Sequence, residues 1–461
     1  MLIRFSVSNF LSFNKIQEFS MIGGKVRRKS SHLVVDKNIK LLKFTALYGA
    51  NASGKSNLVR AIDFSRRIIV DGFPEMHTGL YHKMIEENKT KPSYFEFEIK
   101  IEDRYYSYGF EIILNSSSIV SEWLYEIMPD GGDKKIFTRD LANRVYDVKG
   151  YFKENSSLTR LSVYAEDIKS DDSALFLLIM NTNKSDLYSV NGELSILRDI
   201  FQWFKRQLDV NHPDKPISDY SYFITDKNEE EIFKIITAFG TGITKYTMID
   251  ISRENLSVSL PKGLLNEIIN RLEKQKAENR KNGQKAFSGG VLLRSEKEFF
   301  RISIGENDEI SINTLQFTHE NSSAFFSLSE ESDGTRRLLD LIEVLLSENS
   351  DKIYVIDEVD RCLHPQLTYK LIQRYLDVSK DSKRQLIVTA HESVLLDFGL
   401  LRRDEIWFVE KNTSGESTVY SLEEYNERFD KRIDKAYLEG RYGGVPIFSS
   451  VFPVGEKRDA N

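Results

Sequence analysis

The sequence predicts an α/β fold: a domain built on a mostly parallel sheet, with an antiparallel β layer and an inserted helical subdomain. Three observations carry that prediction. A glycine-rich loop, Gly49–Ser56, stands between an apolar strand and an amphipathic helix. Three runs of period-two patterning follow between Tyr94 and Met128. Beyond residue 301, apolar strands alternate with helices, the layout of a parallel sheet.

The chain opens with Ile3, Phe5 and Val7 in alternation, so a first strand begins at once. A second apolar strand, Phe44 to Tyr48, delivers the glycine-rich loop. The helix after it carries Leu58, Ala61, Ile62, Phe64 and Ile68 at helical spacing. Past the Lys91-Pro92 break, Tyr94–Ile101, Tyr105–Leu114 and Ile119–Met128 read as strands. The turns Glu102-Asp103 and Asn115-Ser116 separate them, which predicts the antiparallel layer. Residues 1–150 are thus the N-terminal half of the α/β domain. Over 151–300 glycine is scarce, and helical spacing dominates in Ser173–Met180, Leu194–Leu208, Glu229–Phe239 and Leu264–Lys276. This stretch is the expected helical insertion. Its segment 273–281 mixes both charge signs, as a solvated helix or the tip of a short helical hairpin does, and is too brief for a long coiled coil. Residues 301–461 return to α/β with the helix Leu338–Leu346, the strand Ile353–Ile356, a helix near Leu367–Leu376, and the strands Leu386–Thr389 and Ile406–Val409. The two α/β regions are expected to form one domain split by the insertion.

Composition narrows the classes. With 461 residues, 40% hydrophobic and 29% charged, the chain is an ordinary globular one with room for a large core. It has no apolar run long enough to span a bilayer, and Met1-Leu2-Ile3-Arg4-Phe5 lacks the layout of a secretion signal. The single cysteine, Cys362, excludes an internal disulfide and an all-cysteine metal site, so a cytoplasmic location is expected. A net charge of −6 does not mark the whole chain as a nucleic-acid binder.

The chemistry is concentrated in four places. Gly49-Ala50-Asn51-Ala52-Ser53-Gly54-Lys55-Ser56 matches the phosphate-loop pattern in full. Its glycines let the backbone wrap phosphates at a helix N-terminus. Lys55 reaches the β- and γ-phosphates of ATP, the Ser56 hydroxyl ligates Mg2+, and Gly49, Asn51, Ala52, Ser53, Gly54 and Asn57 complete the cradle. Ile353-Tyr354-Val355-Ile356-Asp357-Glu358 delivers two carboxylates to a strand's C-terminal end, where ligands bind in open α/β sheets. There Asp357 is the expected Mg2+ partner, and Glu358 the group that polarises the attacking water. Thr389-Ala390-His391 closes the next strand; His391 either touches the γ-phosphate or merely begins a loop. Finally, Ser332-Asp333-Gly334 opens a helix. It is either an anion site for the ATP of a partner chain or an ordinary helix cap.

Phosphate loop, Ser-x-Gly helix start, hydrophobic-Asp-Glu strand and closing histidine stand in the order found in ABC ATPases, which the chain resembles. That resemblance makes Ser332 and Gly334 the signature turn, Asp360 the loop after the catalytic glutamate, and His391 the switch histidine. The usual Leu-Ser-Gly-Gly-Gln is reduced here to the serine and second glycine within Glu331-Ser332-Asp333-Gly334-Thr335. The opening Ile3–Phe13 is similar to soluble ABC ATPases of the RecF and SMC kind. Glu358-Val359-Asp360-Arg361-Cys362-Leu363-His364-Pro365, Asp404–Val409 and Tyr437–Pro446 resemble a narrower group. These are the stand-alone ATPases of bacterial antiphage loci, of RloA, AbiL, PARIS and Septu type, related to overcoming-lysogenization-defect proteins. The likeness covers both α/β regions.

The resemblance implies an Mg2+-dependent ATP hydrolase acting as a sensor or scaffold. It implies head-to-head homo-oligomers, an effector encoded nearby (a Toprim-like or HNH nuclease) and a phage-derived trigger, with no membrane. A RecF- or SMC-like DNA-binding repair ATPase is the alternative, and DNA contact stays open. A transporter subunit is disfavoured by the large insertion, and an AAA+ ring motor by the absence of a second helical lid. Lys25, Arg27, Arg28 and Lys29, like Arg402-Arg403, form either solvated loops or phosphate contacts. Cys362 and His364 are too few for a metal site, and His364-Pro365 is expected to cap the next helix. The aromatic strands around Tyr94–Tyr108 are read as sheet packing, with a partner-binding edge as the other option.

Overall fold

The computed structural model describes residues 1–424, except 37, 154, 191, 219, 225–228, 253–261, 282–288, 296, 306–308, 321 and 347–349, and beyond them Tyr437. Most of the segment Tyr437–Pro446 therefore lies outside the described residues. The chain divides into two compact units. One takes the described residues of Met1–Val210, Asn349–Val359 and Leu376–Asn461, the other those of Asn211–Glu348 and Asp360–Tyr375.

Two sheets organise the first unit. The antiparallel one has seven strands in the order Val145–Asp147, Lys134–Asp140, Ser118–Ile127, Arg104–Ile113, Ser93–Ile101, Leu2–Ser8 and Gln17–Ser20. The period-two runs form its centre because alternation puts every second side chain on one face. In Ser93–Ile101 the buried residues include Phe95, Phe97 and Ile99, while Tyr94, Glu96 and Glu98 face outward. Rings cluster on the inner face: Phe97 lies 4.7 Å from Phe5 and 5.0 Å from Phe204, and Phe95 lies 5.3 Å from Phe110. Packing is thus the role of these aromatics.

The second sheet runs Leu208–Asn211, Ile353–Ile356, Gln385–Thr389, Phe44–Tyr48, Ile406–Lys411 and Ser417–Ser421. Its middle strands are parallel and the last pair antiparallel. Near-continuous burial of Phe44–Tyr48, Ile353–Ile356 and Gln385–Thr389 explains their unbroken apolar runs. Buried Gln385 ties the two sheets together. Its side-chain amide accepts the Leu2 N–H at 2.6 Å and donates to the carbonyls of Leu2 and Leu42 at 3.0 Å.

The helices Asn155–Asp167, Phe176–Asn181, Ser185–Val190 and Ser195–Gln202 also belong to this unit. Phe176 packs on Phe137 at 5.1 Å. Buried Glu122 accepts the N–H groups of Phe176 and Leu177, capping the helix Phe176–Asn181 from the sheet.

The second unit departs from the helical insertion expected over 151–300. It contains the helices Glu229–Ala238 and Lys262–Lys281, and also an antiparallel sheet ordered Ile243–Asp250, Ile310–His319, Phe299–Ile304 and Gly289–Arg294. Phe325–Ser327 pairs with Ile310–His319. The helix Asp333–Leu346 lies in this unit too, so residues 301–348 cluster with the middle of the chain. Segment 273–281 falls within the single helix Lys262–Lys281.

Candidate nucleotide site

Three parallel strands of the first unit bring their C-terminal ends together. The strand Gln385–Thr389 lies between Ile353–Ile356 and Phe44–Tyr48, with Ile356 opposite Val388 and Thr389 opposite Leu47. Asp357 and Glu358, Thr389 to His391, and the glycine-rich loop therefore emerge at one sheet edge, the usual ligand edge of such folds.

The loop's path depends on backbone angles that side chains resist. Ala52 has φ 63° and Gly54 φ 115°. A Cβ on Gly54 would stand 2.4 Å from Ser417 Oγ and 2.8 Å from Ser12 Oγ, so only glycine fits. Those two serines brace the loop from behind. Ser12 Oγ accepts from Asn57 Nδ2 at 2.7 Å, and Ser417 Oγ donates to the Ser53 carbonyl at 2.5 Å. Asn51 and Ala52 are exposed at the loop's crest, whereas Ser53 is buried. Lys55 opens the helix Lys55–Asp71. Although its side chain is long and charged, it is 5% exposed, and Nζ donates to the carbonyls of Gly49 at 2.7 Å and Ala50 at 3.2 Å. The ammonium is thus held against the loop rather than in bulk solvent.

Across the sheet edge, Ser56 Oγ donates to Asp357 Oδ1 at 3.1 Å. Thr389 Oγ1 donates to the same oxygen at 2.6 Å and accepts the Glu358 N–H at 2.8 Å. Asp357 is buried, but the carboxylate of Glu358 is half-buried, with His391 Nε2 3.8 Å from its Oε1. Glu358 itself has φ 51°. A hydroxyl and a carboxylate side by side are hard oxygen donors. They suit Mg2+, which takes one or two protein ligands and fills its remaining positions with phosphate and water. Among the described residues no group of three or more His, Cys, Asp or Glu could form a metal cage. The donor set fits Mg2+.

Ser332 and Gly334 belong to the second unit. Ser332 Oγ accepts the Thr335 N–H at 3.1 Å, making it the N-cap of the helix Asp333–Leu346. The side chain remains exposed. The turn before it is anchored by buried Glu331, which lies 2.7 Å from His319 Nε2. A Cβ on Gly334 would stand 2.9 Å from the Cys362 carbonyl oxygen, so the small residue lets helix start and loop approach. Asp360 is buried, and its carbonyl accepts the Leu363 N–H at 3.1 Å. His364 caps the helix Pro365–Val378: its carbonyl accepts the Leu367 N–H and its Nδ1 the Gln366 N–H.

Thr389, Ser12 and Ser417 brace the loop and the strand end, and the sequence alone did not single them out. The Thr-Ala-His run was the available signal, with a role read only for its histidine. Of the basic residues, Lys25, Arg27 and Arg28 are exposed. Arg402 is buried, paired with Asp404 at 2.6 Å and donating to the Arg28 carbonyl, so its role is structural.

A phosphate loop at a helix start, a carboxylate hydrogen-bonded to its serine, and a glutamate next to that carboxylate define a P-loop ATPase built on an α/β fold with an antiparallel layer. The family model described as "AAA domain, putative AbiEii toxin, Type IV TA system" matches residues 44–176 and 170–397. The chain belongs to this family.

Among solved structures, the chain is similar to an SMC head bound to the C-winged helix domain of ScpA. The two are 14% identical, covering 92% of this chain and 99% of that chain with a TM-score of 0.42. It is also similar to the SMC head domain from Thermotoga maritima, at 14% identity, 91% and 98% coverage and a TM-score of 0.31. A third is the Smc head with an extended coiled coil bound to the C-terminal domain of ScpA from Pyrococcus furiosus, at 17% identity, 95% and 99% coverage and a TM-score of 0.39. No curated protein matches the chain. Among the described residues, no helix is long and apolar enough to cross a membrane.

Proposed function

We propose that this chain is an Mg2+-dependent ATP hydrolase whose active sites are completed by a second copy, and whose closure controls a partner effector in antiphage defence. The observation that carries the hydrolase reading is the shared oxygen of Asp357, which joins the phosphate-loop serine to the strand end bearing Glu358. Mg2+, when bound, supplies charge neutralisation at the β- and γ-phosphates. Ser56 and Asp357 are the residues to hold it, and Lys55 the cation to meet the same phosphates. Glu358, half-buried, orients and polarises the attacking water. His391, beside it, faces the γ-phosphate. Ser332 and Gly334 offer a hydroxyl and a helix N-terminus to the ATP held by another copy.

The defence role rests on the family description, which names an AbiEii toxin and a type IV toxin–antitoxin system. It rests also on the resemblance of Glu358–Pro365 and Asp404–Val409 to antiphage ATPases. A Toprim-like or HNH nuclease is the expected effector, and a cytoplasmic setting the expected location.

Glu358→Gln tests the chemistry. It retains ATP binding while turnover falls by about 10²- to 10⁴-fold, and it accumulates an ATP-bound dimer in light scattering. Turnover at the wild-type rate removes Glu358 from the mechanism.

A further inference from the structure

Every other residue of the strand Gln385–Thr389 that faces apolar surroundings is aliphatic, and a valine would serve the sheet equally well at its last position. Thr389 stands there instead, fully buried, and its hydroxyl is used twice. It donates to Asp357 Oδ1 at 2.6 Å and accepts the Glu358 N–H at 2.8 Å. Its carbonyl accepts the Val359 N–H at 3.0 Å. One residue thus grips three successive residues of the neighbouring strand end.

The middle one needs the grip. Glu358 has φ 51°, a conformation that residues other than glycine adopt uncommonly and keep only where the surroundings over-determine it. Fixing the N–H groups of Glu358 and Val359 on a buried central strand supplies that determination. Asp357 Oδ1 also accepts from Ser56 Oγ at 3.1 Å, so a shift on the phosphate-loop side reaches the Glu358 backbone through a single hydroxyl. His391 follows two residues later on the same strand end, 3.8 Å from the Glu358 carboxylate.

We propose that Thr389 is a positioning residue: its hydroxyl locks Asp357 and Glu358 into one unit, so that the Mg2+-side carboxylate and the water-polarising carboxylate are placed together. The proposal rests on the hydrolase reading above and adds a residue to it.

The test compares Thr389→Val, which removes the hydroxyl at constant volume, with Thr389→Ser, which keeps it, alongside wild type and Glu358→Gln. Thr389→Val is expected to lower kcat about 10- to 100-fold, as losses in the shell behind metal ligands do. It should raise the Mg2+ concentration needed for half-maximal rate, while affinity for a fluorescent ATP analogue without Mg2+ stays at the wild-type value. Thr389→Ser should recover most of the rate and the Mg2+ midpoint. Wild-type kcat in Thr389→Val, with Glu358→Gln inactive, overturns the proposal and leaves the hydrolase reading standing. So does a Thr389→Ser protein as slow as Thr389→Val. An inactive wild type removes the hydrolase reading itself. If Thr389→Val does not fold, Thr389→Ala removes the hydroxyl without added bulk, and a folded, fully active Thr389→Ala also overturns the proposal.

Discussion

Single residues show how burial sets charge chemistry here, and Asp340 is the clearest case. It sits on the helix Asp333–Leu346, 3.4 Å from Arg294, whose guanidinium lies 4.2 Å over the Tyr220 ring. Burial pushes the Asp340 carboxyl up to about 6 from 3.8, against the pull of Arg294 and Arg337. Burial likewise holds Arg337 below its ordinary value. A carboxyl whose folded pKa is raised binds its proton more readily when folded. Its penalty is absent below about pH 4 and complete above about pH 6, so stability falls as pH rises through that window. The rise of about 2 units corresponds to about 3 kcal/mol at most. Asp340→Asn should flatten the wild-type decline in unfolding free energy between pH 4 and 6, measured by denaturant titration. An unchanged slope would place the titration elsewhere. At pH 7, where the wild-type carboxylate carries its full burial penalty net of both arginines, the neutral variant is expected to be at least as stable as wild type. Legibility at this scale followed spacing. Lys55, Ser56, Asp357 and Glu358 stand in patterns that together point to phosphate chemistry, whereas Thr389 looks like any β-branched strand residue until its neighbours in space are known.

Among elements, the helix Asp333–Leu346 joins a structural duty to a proposed functional one. Ser332 caps it through the Thr335 N–H, and the Ser332 carbonyl accepts the Arg336 N–H at 2.9 Å. Ser332→Ala should therefore lower unfolding free energy by about 1 kcal/mol, while Ser332→Asn, another good cap, stays near wild type. Equal stability of all three in denaturant titrations would mean the cap carries no weight. This helix was readable because its apolar residues recur at helical spacing and are buried from Leu338 to Leu345, apart from half-buried Glu343. The strands of the second unit were not. In Ile243–Asp250 only Ile243 is buried, so no alternation marks it. Gly289–Arg294 reads Gly-Gly-Val-Leu-Leu-Arg, a run without period two. Ser93–Ile101, with Phe95, Phe97 and Ile99 on one face, announces itself. Lightly buried strands leave no such mark, whereas Phe299–Ile304, with Phe300, Ile302 and Ile304 buried in alternation, carries it and is short enough to be passed over.

For the whole molecule, motif order made the α/β class and antiparallel layer legible, but not the grouping of residues into compact units. Periodicity shows which face of a helix is buried and says nothing of what covers it. The helices from Asn155 to Gln202 cluster with the antiparallel sheet, and residues 301–348 with the middle of the chain. The proposed catalytic groups accordingly divide. The phosphate loop, Asp357, Glu358 and His391 fall in one unit, Ser332 and Gly334 in the other. If each site takes its loop from one copy and its signature turn from another, two inactive variants must complement. Lys55→Ala disables the loop, and Ser332→Arg fills the turn with a bulky cation. A two-fold dimer of one with the other keeps one site in which both halves are native. Random mixing in equal amounts should therefore restore about a quarter of the wild-type ATPase rate, although each variant alone has almost none. Ser332→Asn keeps the cap but not the hydroxyl: if it folds, loses turnover alone and is rescued by Lys55→Ala, the hydroxyl rather than the helix start is what the second copy supplies. Failure of the mixture to recover, with mixed dimers verified by tagged co-purification, would mean that Ser332 serves its own helix and that no second copy completes the site.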